Sequence, residues 1–205
     1  MDPDTPAVTI RTGDPIKIHD STITGKGTLI SLIGTSASAD VTIENVTATA
    51  LDPDVAGRQR GSFVDSLNVK SLVVRNCTIN GASFGVLVAG STATLLKITN
   101  NLATNLEDRA SDGNGGLQAA RPSLGHFVLL NGVSAPAGAE IAWNKVMQTV
   151  GKNSVEDVIN IYKSQGSAGH SIWVHDNYIE GNSSTTTTSG YTGTGILTTA
   201  TRARR

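Results

Sequence analysis

One short motif recurs six times along the chain: apolar, any, apolar, any, then Asn or Asp. It reads Ile16-Lys17-Ile18-His19-Asp20, Val41-Thr42-Ile43-Glu44-Asn45, Leu72-Val73-Val74-Arg75-Asn76 and Leu96-Lys97-Ile98-Thr99-Asn100. A weaker copy, Ala139-Glu140-Ile141-Ala142-Trp143, closes on Asn144, and the last copy is Ile172-Trp173-Val174-His175-Asp176. Period-two alternation marks a strand with one buried face. The closing Asn or Asp fits a bend, because these side chains tolerate the left-handed backbone conformation and bond to their own turn. The first four closing residues are spaced by 25, 31 and 24 positions, and the spacing then widens. A period in the mid-twenties is the length of one coil of a β-solenoid.

A second strand precedes most copies: Thr28–Leu32, Phe63–Leu67, Phe84–Val88, Phe127–Leu130 and Val158–Tyr162. Each rung therefore reads as strand, turn, strand, Asn bend, strand. Gly, Ser, Thr, Asn, Val and Ile dominate, which suits short strands and tight turns rather than helices. The repeat, with the opening Val8-Thr9-Ile10-Arg11-Thr12, resembles the pectate-lyase-like right-handed parallel β-helix superfamily over roughly residues 8 to 182. The resemblance implies an all-β fold, a single-stranded solenoid of about six rungs. It spans a host of activities (polysaccharide lyases, glycoside hydrolases, epimerases, tailspikes and adhesins), so the fold does not select among them.

One domain is expected over 1–205: a cap and first strand at 1–15, rungs over 16–181, and a low-complexity loop with an incomplete last rung over 182–205. The Ser- and Thr-rich run from Asn182 and the ending Arg202-Ala203-Arg204-Arg205 leave that rung unfinished, so a truncated member is expected. Open strand edges would favour a homo-oligomer.

With 16 Lys and Arg against 17 Asp and Glu, the chain lacks the basic stripe that nucleic acid demands. No apolar run approaches the ~20 residues of a membrane helix, and no signal peptide is visible. The resemblance nevertheless implies an extracellular or periplasmic parent. The single Cys77 excludes an internal disulfide and reads as a buried apolar residue.

The longest connections lie between the strand after each Asn bend and the next rung: 50–61, 105–125, 148–156 and 181–193. In a stacked coil these inserts emerge on one flank, and in the resembled superfamily such loops wall a sugar-binding groove. An acidic polysaccharide is the expected partner. Candidate catalytic groups there are Asp112, Arg121, Asp157 and Lys163. Candidate substrate contacts are Arg58, Asp65, His126, Asn160 and Tyr162, with Trp173 as a stacking platform. Glu107 and Asp108 are candidate Ca²⁺ ligands through their oxygens. The competing expectation is a non-enzymatic structural or adhesive solenoid.

Overall fold

The computed structural model of the chain describes residues 1–33, 39–118, 124–181 and 194–199. Among these residues there is no helix, and the strands form two sheets of seven and ten. Among the described residues no helix is long and apolar enough to cross a membrane. Every pairing between strands is parallel, consistent with a β-solenoid.

The seven-stranded sheet takes one strand per rung, in chain order. These are Val8–Thr9, Ile30–Leu32, Val64–Leu67, Phe84–Ala89, His126–Asn131, Asp157–Tyr162 and Thr194–Thr199. The ten-stranded sheet holds the strands on either side of the Asn bend. In the first two rungs the bend leaves the strand unbroken, as Pro15–Gly25 and Asp40–Ala50. In later rungs it splits the strand in two. The first half of Asp40–Ala50 pairs with Ser71–Arg75, and its second half with Thr78–Asn80.

The interior is a set of aliphatic stacks. Ile43, Val74, Ile98, Ile141 and Val174 occupy one register position in successive rungs, and Ala48, Ile79, Ala103, Val146 and Ile179 another. Most of these side chains are fully buried, so alternation in the sequence becomes a continuous core.

The bends behave as the motif predicts, with one correction. Asp20, Asn45, Asn76, Asn100 and Asp176 all have φ between 49° and 58°. In the weaker copy, however, the left-handed residue is Trp143, at φ 54°, and Asn144 turns inward. Asn101, Asn144 and Asn177 follow the bend in three successive rungs and bond to one another. Asn101 Nδ2 donates to Asn144 Oδ1 at 2.9 Å, and Asn144 Nδ2 donates to Asn177 Oδ1 at 2.9 Å. Their oxygens also accept backbone N–H groups of Cys77, Asn101 and Asn144. The corner is thus closed by a buried amide ladder, which keeps each rung directly over the last.

Candidate functional site

The first three inserted loops meet on one flank, and backbone bonds hold them together; the fourth, beyond Gly181, lies outside the described residues. Gly57 N donates to Ser111 O, Ser111 N to Arg58 O, and Asp108 N to Ser154 O, so the first three inserts are laced in series. Between them and the N-terminal segment lies a cleft of about 420 Å³, lined in part by Arg58, Arg60, Arg109, Asp108, Phe84 and Leu124. Arg58 pairs with Asp4. Arg60 reaches Gly81 O at 3.5 Å, while its buried Nε has no hydrogen-bond partner.

The sequence-derived candidates scatter over this frame. Asp157 opens its strand and is 2% exposed, whereas Lys163 follows the other end of the same strand with φ 47°. Six residue steps along the extended chain separate them by about 20 Å, too far for both to act on one bond. Lys163 Nζ instead lies 4.9 Å from the ring centroid of the exposed Tyr162. Asp112 is committed to its own turn, accepting from the backbone N–H groups of Asn114 and Gly116. Arg121 lies outside the described residues.

The expected Ca²⁺ ligands are likewise engaged. Glu107 is 2% exposed and takes the Arg109 guanidinium at 2.8 and 2.5 Å. That guanidinium supplies the positive charge a cation would have brought. Asp108 Oδ2 accepts the Leu124 N–H at 2.8 Å. Asp65 is half-buried, and desolvation pushes its carboxyl above the usual range. Asn160 faces away from solvent rather than toward it, at 6% exposure, and its Nδ2 donates to Asp157 Oδ2 at 2.8 Å. His126, also 2% exposed, lies beside that pair, with Nδ1 at 2.9 Å from the Asp157 carbonyl.

The other face of the coil carries a second arrangement. In its early rungs the outer surface of the ten-stranded sheet is ion-paired, with Glu44 held by Lys17 and Arg75. Both cations keep the Glu44 carboxyl below the usual carboxylate range. In its later rungs the surface is aromatic. Trp173 is 68% exposed and Trp143 51%, and they are the chain's two tryptophans. Both lie edge-on to His175, with ring centroids 5.1 and 4.9 Å away. Tyr178 is exposed nearby, its ring 5.5 Å from Lys145 Nζ. A cleft of about 480 Å³ runs alongside, lined by Trp173, Lys97, Glu140, His170 and neighbouring backbone. Lys97 and Glu140 pair at 3.0 Å, and Glu140 also lies 3.6 Å from His175 Nε2.

The exposure of Trp173 was legible from its parity in the repeat. Trp143 was missed because the motif was anchored on Asn144. The signal was present, since this is the one copy in which a large aromatic precedes the Asn. A left-handed Trp is costly, and such strain persists where the surrounding structure holds it, often at binding sites. No protein-family model matches the chain, no curated protein matches it, and no solved structure matches it.

Proposed function

We propose that this chain is a polysaccharide-binding protein built as a right-handed parallel β-helix of the pectate-lyase-like kind. The right hand follows from the steric preference of parallel crossovers, about 98% of which take it. The observation that carries the binding reading is the exposed pair Trp143 and Trp173 flanking His175, beside a cleft with charged walls. Aromatic rings stack on the apolar faces of sugar rings, while Lys97, Glu140 and His170 offer hydrogen bonds to hydroxyl groups. On the loop flank, Arg58 and Arg60 line the second cleft and bring guanidinium groups suited to a uronate carboxylate, which favours an acidic polymer.

Intrinsic fluorescence tests this directly, because both tryptophans lie on the proposed face. Titration with polygalacturonate should give a saturable emission change, larger than with a neutral glucan, and Trp173→Ala should weaken it by about tenfold. Unchanged emission with every polymer discards the reading. Ultraviolet absorbance of unsaturated product in the same titration separates a lyase from a binding protein.

A second reading, a self-associating structural or adhesive solenoid, is favoured by a different observation. The strands Ile172–His175, Tyr178–Glu180 and Thr194–Thr199 each have a single neighbour among the described residues. Such edges recruit further strands. Light scattering after size exclusion would show a stable oligomer, and a monomer counts against it.

A further inference from the structure

We propose that His126, Glu156 and Asp157 form a binding site for a divalent transition ion, Zn²⁺ foremost, where the third inserted loop enters the strand Asp157–Tyr162. One ligating atom from each of the three lies within 4.8 Å of the others. The Asp157 carbonyl can only accept, so His126 Nδ1, at 2.9 Å, carries the proton. Nε2 then presents its lone pair toward Glu156 Oε2 at 3.6 Å. Two acceptors face each other across a gap too long for a hydrogen bond. It is close to the ~3.4 Å that separates two ligands, each ~2.0–2.1 Å from a tetrahedral Zn²⁺.

The surroundings are those of a supported metal ligand set. A backbone carbonyl on the distal nitrogen of a histidine fixes its tautomer and orientation, and an amide on a ligating carboxylate does the same. Here Asn160 Nδ2 holds Asp157 Oδ2 at 2.8 Å. Asn160 is 6% exposed, and its own Oδ1 is buried without any hydrogen-bond partner. A water on the ion would donate to that oxygen and remove the cost of leaving it bare. The imidazole argues for a transition ion over Ca²⁺, which prefers an all-oxygen shell. Glu156, with its side chain 21% exposed, forms the entrance and leaves a coordination position toward solvent.

The test is calorimetric titration of the chelator-treated full chain with ZnCl₂, joined to nitrogen-15 spectra of the four histidines. Saturable one-to-one binding is expected, weakened about tenfold or more by Glu156→Gln with circular dichroism unchanged. His126 Nε2 should shift as a metal-bound nitrogen, while His19, His170 and His175 stay in place. The nitrogen shifts are read on the parent chain, so the test does not depend on a variant folding. Absence of saturable binding overturns the proposal, as does an Nε2 shift at His175 in place of His126. A folded Glu156→Gln variant that binds as tightly as the parent overturns it too.

Discussion

Replacing Asn144 with Leu probes the amide ladder at the point where it is most connected. Asn144 is 1% exposed and takes part in four side-chain hydrogen bonds. It accepts from Asn101 N at 3.1 Å and Asn101 Nδ2 at 2.9 Å, and donates to Ile98 O at 2.8 Å and Asn177 Oδ1 at 2.9 Å. Leu keeps the branched four-atom shape with bulkier ends, so little room opens for a replacement water. Two buried Asn101 donors then lose their acceptor at about 1–3 kcal/mol each. Burial of the new apolar side chain returns about 1 kcal/mol. The expected net loss is about 1–5 kcal/mol, a large part of a typical domain stability of about 5–15 kcal/mol. Urea unfolding followed by circular dichroism measures it. Asn76→Ala is the companion, because that residue is exposed at the bend with φ 55° and should cost only about 1 kcal/mol. If Asn144→Leu costs less than the bend substitution, the ladder does not hold the rungs in place.

Trp143→Asn should leave stability within about 0.5 kcal/mol, since relief of roughly 1 kcal/mol of left-handed strain offsets the lost edge contact with His175. Polysaccharide binding should fall in the same variant, and a loss of 2 kcal/mol or more by urea titration would show that Trp143 is structural. Asp65→Asn should stabilise the protein at neutral pH. The folded carboxyl titrates above its ordinary value of 3.8, so the cost of the buried charge is complete above the folded value. That cost fades as pH falls through the folded value, and the unfolding midpoints of parent and variant should converge near pH 3.8. Parallel curves across that range would refute it. Cys77 is 1% exposed, and burial pushes its thiol up to about 11, so a thiol reagent should react only as the chain unfolds. Rapid labelling of the native protein would contradict this.

The stacking of strands was legible because alternation and the Asn bend are both local signals that repeat in register. Ile43, Val74 and Ile98 announce a shared buried face by spacing alone, and Asp20, Asn45, Asn76, Asn100 and Asp176 announce the bend by side-chain type. The common flank of the inserts followed from counting. The details of the site did not, because they depend on pairs distant in sequence. Nothing local says that Asp108 accepts the Leu124 N–H, or that His126 abuts the carbonyl of Asp157 from the next rung. Asn160 has the parity of an exposed residue, yet it is 6% exposed and bonded to Asp157. Lys163 and Asp157 look close in the chain, but an extended strand sends them to opposite ends.

The stacking register itself is open to a covalent test. Glu140 lies directly between Lys97 and Trp173 on adjacent parallel strands. Neighbouring strands run about 4.8 Å apart, within the roughly 4.4–6.8 Å that a disulfide spans between Cα atoms. The double variant Lys97→Cys with Glu140→Cys should therefore oxidise readily to an intramolecular bridge. Lys97→Cys with Trp173→Cys, two strands apart, should not. Bridging in the second variant, or its failure in the first, would contradict the parallel stack and every surface assigned from it.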